Sequence, residues 1–235
     1  MGGDSGRGAQ AVSAQEFDPL LAIMNPRDIP DAVAAFRTLD VRRAWLQGYT
    51  EWQLVEVIRS IVDDPDIPFT HLVVVADDVV VRQPALDAVL DLAREGRPVV
   101  TGWCRLDSTH PLVNITDGAL MGDDPTPGAY RFRRFAHVVA DPSPVIETGF
   151  VGFALTCMPR TMWQRFPFGA FGGPSCSWSS DFHLSRRLRD AGVPMVAARD
   201  GGTEHLKERW QQSDRAPEKR LLLGERPAQV IRDDA

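Results

Sequence analysis

The stretch His71-Leu72-Val73-Val74-Val75-Ala76-Asp77-Asp78-Val79-Val80-Val81 decides how the chain is read. After His71 the strand to Val75 is aliphatic without a polar break, mostly β-branched valine, the pattern of a strand buried on both faces of a parallel sheet. Two adjacent carboxylates follow directly. Open α/β sheets bind ligands at the carboxyl ends of their strands, and carboxylates there are costly unless solvated or paired. A hard divalent cation, Mg2+ or Mn2+, is the usual partner, and it would neutralise the charge that develops on a phosphate leaving group. A plain acidic turn after a strand would use the same residues, so the pair alone does not choose between the two.

Upstream, Leu20 to Met24 is a second continuous apolar run, ending in the loop Asn25-Pro26-Arg27. A helix is expected from Asp31 to about Leu39, with Asp31 a favourable first-turn acid. From Glu51 to Val62, Leu54, Val57, Ile58 and Ile61 share one helical face, and Asp63-Asp64-Pro65 stops it. Downstream, Pro84 opens a helix whose buried face is Leu86, Val89, Leu90 and Ala93 and whose end is Gly96. Val99 to Trp103 reads as a strand, Tyr130 to Val139 as a strand pair, and Gly149 to Met158 as another buried strand. A short helix is expected from Thr161 to Phe166, and a Gly/Ser-rich mobile loop from Phe168 to Ser179. Asp181 to Ala191 is a helix closed by Gly192, and Val193 to Ala198 a final strand. Strands alternate with helices, which predicts an α/β fold with a mostly parallel central sheet flanked by helices. Residues 1–16 are expected to be disordered, 17–206 to form one domain, and 207–235 to be a charged tail, helical or loose.

Apolar residues make up 43% and charged residues 25%, the balance of an ordinary globular protein. No apolar run approaches the roughly 18 residues of a membrane span, and the N-terminus lacks the order of a signal peptide. A cytoplasmic protein is expected. A net charge of -6 argues against nucleic-acid binding through the bulk field, although Arg131, Arg133 and Arg134 cluster locally. Cys104, Cys157 and Cys176 have neither zinc-site spacing nor an even count, and read as thiols of a reducing compartment. Lysine occurs only at Lys207 and Lys219, an arginine bias that points to a GC-rich bacterial or phage genome. The chain has no P-loop, GxGxxG, HExxH or GxSxG.

Two further residues carry possible chemistry. Asp181 leads the helix DFHLSRRLRDAG, where it would cap the first turn or act as a general base. His205, in Gly201-Gly202-Thr203-Glu204-His205-Leu206, follows the last expected strand, and neutral imidazole is a competent metal ligand beside carboxylates. His183 and His71 have weaker claims, and Asn114-Ile115-Thr116 matches a glycosylation sequon of a kind frequent by chance.

Taken in order, these features resemble the GT-A glycosyltransferases, especially family-2-like bacterial and phage members, over about Leu20 to Leu206. Val75-Ala76-Asp77-Asp78-Val79 is similar to the family's DxD strand, with Asp78 on the metal-binding acid and Ala76 where the first acid usually stands. Ser180-Asp181-Phe182-His183-Leu184-Ser185-Arg186-Arg187-Leu188 resembles the EDxxhxxRhxxxG helix, with Ser180 in place of Glu.

The resemblance implies a single GT-A-type domain, a Rossmann-like nucleotide-sugar half followed by a more irregular acceptor half. Asp181 would be the base of an inverting transfer, Asp78 and His205 with help from Asp77 the ligands of Mn2+ or Mg2+. Asn25, Arg27 and Asp77 would lie by the nucleotide, and Gly149, Gly152 and Trp178 by the acceptor or sugar, with Trp178 a stacking platform. The donor would be a nucleotide sugar, UDP-linked by default, and the acceptor a saccharide, a small molecule, a protein or a modified nucleobase. A non-catalytic carbohydrate-binding or virion-associated module of the same fold, with a degenerate metal site, is the reading that the Ala76 and Ser180 departures favour.

Overall fold

The computed structural model describes residues 16–25, 27–47, 51–106, 110–116, 131–167 and 180–206, and the backbone of strand 220–224. The expected loop at 168–179, most of the N-terminal segment and most of the tail lie outside these residues. Along the chain run β1 (Pro19–Asn25), α1 (Pro30–Arg37), β2 (Arg42–Gln47), α2 (Glu51–Asp63), β3 (His71–Ala76), β4 (Val79–Val80) and α3 (Gln83–Arg94). Next come β5 (Val100–Cys104), β6 (Leu112–Thr116), β7 (Phe132–Arg134), α4 (Phe135–Val139), β8 (Val145–Glu147) and β9 (Thr156–Pro159). The chain continues with α5 (Arg160–Arg165), α6 (Ser180–Asp190), β10 (Val196–His205) and β11 (Arg220–Gly224).

A nine-stranded sheet in the order β11-β2-β1-β3-β9-β5-β10-β4, with β8 also on β10, forms the centre, and β6 pairs with β7 beside it. The principal strands β1, β2, β3, β5 and β10 point one way, as their alternation with helices predicts, and the antiparallel β9 is inserted between β3 and β5. Hydrophobic alternation explains the layers. Leu21, Ile23, Val73 and Val75 face the core under α1 and α3, while Leu20, Ala22, Leu72 and Val74 face the core under α2, α5 and α6. Both faces of β3 are therefore dry, and Leu72 to Val75 are each 0% exposed. Burying such a side chain contributes about 1.5–3 kcal/mol, so β3 is a rigid rail for the acids that follow it.

The helices at 30–37, 51–63, 83–94, 160–165 and 180–190 fall where the apolar periods place them. Gly96 ends α3 as expected: it has φ +90°, and the N–H groups of Gly96 and Arg97 donate to Ala93 O and Leu92 O. That left-handed turn favours glycine.

Several expectations are corrected. β2 is absent from the sequence reading because two arginines break its apolar run, yet Arg43 is 4% exposed and donates to the carbonyls of Phe36 and Leu39. Its stem is core and its head caps the end of α1. The segment read as a strand pair over 130–139 is one strand and one short helix, β7 and α4. Of the expected strand over 149–158 only Thr156 to Met158 pair, within β9; the residues before them form a buried loop tied by Ser185, whose Oγ accepts from Val151 N–H and donates to Asp181 O. The last strand is longer than expected, because a register shift between Ala197 and Gly202 lets β10 resume pairing with β5. Gly102 and Gly201 permit it: a Cβ on Gly102 would stand 2.6 Å from Gly201 O. Within the stretch read as a helical or loose tail, β11 pairs antiparallel with β2.

Candidate functional site

The carboxyl ends of β1, β3, β5 and β10 share one edge of the sheet, and Arg27, Asp77, Asp78, Arg105 and His205 line a cleft of about 940 Å³ there. Ligand clefts run to about 300–1,000 Å³, so this one has room for a substrate larger than a metal and water. It is also lined by Asn114, Phe132, Phe150, Asp181 and Phe182.

Arg27 and Asp77 are the firmest pair. Asp77 is 2% exposed, and its carboxylate accepts from Arg27 N–H at 2.9 Å and from the guanidinium through both oxygens, the shortest contact being Nη2 to Oδ1. Burial pushes the Asp77 carboxyl up and Arg27 pulls it down, the balance lying on the upward side. Burial also opposes the Arg27 charge, but Asp77 and Asp78 outweigh it and raise its pKa. Arg27 Nη2 reaches Asp78 Oδ2 at 3.0 Å, so one guanidinium bridges both acids.

Asp78 faces His205, with Oδ2 3.5 Å from Nε2. The imidazole is oriented from behind, since Nδ1 lies 3.0 Å from Arg105 O and 3.1 Å from Leu106 O. Carbonyls only accept, so Nδ1 carries a proton, and Nε2 is left to meet the carboxylate with a lone pair or a second proton. Two lone pairs pointed at one another call for a cation between them, a proton or a metal ion. Burial works against the Asp78 charge, but His205 and Arg27 outweigh it and hold the carboxyl down at about 2.

The donor set suits a hard cation that draws its remaining ligands from a diphosphate and water, because Mg2+ commonly uses one or two carboxylates in this way. Among the described residues no three His, Cys, Asp or Glu side chains converge as a closed metal site. Asp77 is engaged by Arg27 instead.

Asp181 opens α6, half-buried at the cleft, and its Oδ1 accepts the N–H of Phe182 at 2.8 Å. Ser180, at the position where the resemblance expects Glu, is 9% exposed. Asn25 is 0% exposed and is tied to Asp28: Asp28 N–H donates to Oδ1 at 3.0 Å, and Nδ2 donates to Asp28 Oδ1 at 3.2 Å. That bond pair holds the turn in which Asp28 has φ +55°, so Asn25 shapes the loop that presents Arg27. Gly149 is buried and donates to Thr116 Oγ1 at 2.9 Å. The space a Cβ would fill at Gly152 holds the Asn114 amide, with Nδ2 at 2.6 Å. Trp178 lies outside the described residues.

His71 starts β3 at the opposite edge of the sheet, and burial lowers its pKa. Burial, with Arg187 and Arg186 nearby, holds His183 down at about 4, so it is neutral near pH 7. Cys104 and Cys157 are buried thiols, the latter pushed up to about 12 by burial. Among the described residues no helix is long and apolar enough to cross a membrane.

Sequence reasoning gave no place in the cleft to Arg105, Phe132 or Phe182, and read Asn114 only as part of a sequon-like triplet. Arg105 stacks on Phe135 at 3.9 Å, and Thr116, the third residue of the sequon-like triplet, is 2% exposed. No local pattern relates them, because the cleft gathers them from the residue after β5, from β6 and β7, and from α6.

No protein-family model matches the chain, and no curated protein matches it in sequence. Solved structures do. A197 from STIV is 15% identical with a TM-score of 0.54, over 89% of this chain and 95% of that one. GalNAc-T7, solved with UDP, GalNAc and Mn2+, is 8% identical with a TM-score of 0.51, over 80% of this chain and 43% of that one. The chain thus spans less than half of GalNAc-T7. The inositol-1-phosphate CTP transferase from T. maritima is 10% identical with a TM-score of 0.41, over 86% of this chain and 92% of that one. At these identities the likeness is one of fold, and the fold is a single GT-A-like α/β domain.

Proposed function

We propose that the chain is a glycosyltransferase, a family-2-like member of the GT-A group, that moves a sugar from a nucleoside-diphosphate sugar to an acceptor hydroxyl. One observation carries this reading: a GT-A-like sheet brings Asp78 with His205, and separately Asp181, to one cleft at its strand ends. GalNAc-T7, with the same fold, was solved with UDP and Mn2+, which makes a UDP-linked donor and a divalent ion the first to test.

Asp78 and His205 are the residues that would hold Mn2+ or Mg2+. Such an ion supplies charge neutralisation to a departing diphosphate. Arg27 adds a fixed positive charge beside it, kept in place by Asp77. Asp181 takes the proton of the acceptor hydroxyl as that oxygen attacks the anomeric carbon, and the configuration inverts. Its carboxylate is aimed by the Phe182 N–H and by Ser185, which fixes the first turn of α6.

Asp181→Asn keeps the size of the side chain and loses the base. Transfer from the accepted donor should fall by about 10²–10⁴-fold while donor affinity stays unchanged. A variant that transfers at the wild-type rate would remove Asp181 from this role. A second reading, a carbohydrate-binding module without catalysis, is favoured by the lack of a three-ligand metal group among the described residues. Wild-type protein that binds saccharide but neither hydrolyses nor transfers from any nucleotide sugar would establish it.

A further inference from the structure

Building on the transferase reading, we infer that Asn114, Phe132 and Phe182 form a saccharide subsite, so that the acceptor is a sugar. Asn114, on β6, accepts the Cys104 N–H through Oδ1 at 2.7 Å. A backbone N–H only donates, so this bond fixes which end of the amide is oxygen and turns Nδ2 the other way. Asn114 lines the cleft and its amide rests against Gly152, which has no Cβ to displace it. The strand end that holds Asn114 also holds His205, through the carbonyls of Arg105 and Leu106. A neutral two-proton donor is therefore set at a fixed position relative to the Asp78–His205 pair.

The same cleft holds an aromatic group beside this amide, since a Cβ on Gly152 would meet both Asn114 Nδ2 at 2.6 Å and the Phe150 ring at 3.2 Å. Phe150 is 3% exposed and anchors it, with Phe132 at 5.8 Å and 90° and Phe182 at 4.8 Å and 54° between ring planes. Phe182 follows Asp181 on α6, so the aromatic wall adjoins the proposed base. A pyranose has an apolar CH face for such a wall and hydroxyls at its rim for an amide donor. Neither ring pair is parallel, so these phenylalanines do not form the sandwich that would grip a flat nucleobase. An extended peptide would seek a strand edge, but β6 is paired with β7 on one side and bridged from Val113 to Arg105 on the other.

The test is saturation-transfer NMR on the full chain. The probes are methyl β-D-galactopyranoside, methyl β-D-glucopyranoside, the acyclic D-sorbitol and a synthetic Ser/Thr peptide. A pyranoside should receive saturation where sorbitol does not. Asn114→Asp, which keeps the Oδ1 acceptor for Cys104, and Phe132→Leu, which keeps apolar volume, should each weaken it about tenfold. Arg59→Ala, on the exposed side of α2, should leave it unchanged, and melting curves matched to wild type exclude misfolding. Pyranosides that bind no better than sorbitol, wild-type affinity in both variants, or a peptide bound in place of pyranosides overturns the subsite. Calorimetry with UDP-sugars separates the two ideas. Donor binding without pyranoside binding defeats the subsite alone, and pyranoside binding without any donor defeats the transferase reading alone.

Discussion

Replacing Arg27 by Met should destabilise the fold through Asp77 rather than through any contact of its own. The guanidinium and the backbone N–H of residue 27 are the partners of a carboxylate that is 2% exposed. Removing one member of a buried pair costs about 3–5 kcal/mol, mainly because the other charge is stranded. Arg27 is 26% exposed, so water can enter part of the gap, and the lower end, about 3 kcal/mol, is expected. In a domain of this size that lowers Tm by about 6–12 °C. Arg27→Met/Asp77→Asn, which removes the buried Asp77 charge and leaves Asp78 beside His205, should recover most of the loss.

The sign of the pH dependence follows from burial, which already pushes Asp77 up and is opposed only by the backbone N–H of residue 27 once the guanidinium is gone. A carboxyl whose folded-state pKa lies above its unfolded value destabilises the fold at high pH, and the penalty fades as pH falls through the folded value. The deficit of the single variant, measured by urea unfolding against wild type, should therefore shrink between neutral pH and the ordinary carboxylate range. A deficit below about 1 kcal/mol, or one that grows on acidification, would refute the argument.

Other outcomes follow from the same geometry. Asp78 is held at about 2 against an ordinary 3.8, so it contributes about 2 kcal/mol above pH 4, lost as pH falls from 4 towards 2. Asp78→Asn should lack that part of the acid transition in paired urea titrations. Gly102→Ala places a Cβ 2.6 Å from a backbone oxygen that cannot rotate away, and should cost about 1–3 kcal/mol by thermal melting.

The five main helices and the parallel strands other than β2 were legible because their apolar residues repeat with the right period, and Leu72 to Val75 left no polar residue to mislead. β2 was not, since Arg43 is polar by composition and core by its stem. The neighbourhood of Asp78 was readable from its strand, whereas the Arg27 bridge to Asp77 joins residues 50 apart that no local pattern relates. His205 was read as a loop residue and is the last residue of β10, brought there by the glycines that allow the register shift. The role of Gly152 was legible only in part: its missing Cβ leaves room for Asn114, a partner 38 positions away in the sequence.

The most direct test of the central claim is calorimetric titration of UDP-, GDP- and dTDP-linked sugars into wild type and Asp78→Ala, with and without Mn2+. One nucleotide class should bind, with a dependence on Mn2+ and with loss of binding in Asp78→Ala. Binding of no nucleotide sugar under either condition would contradict the claim.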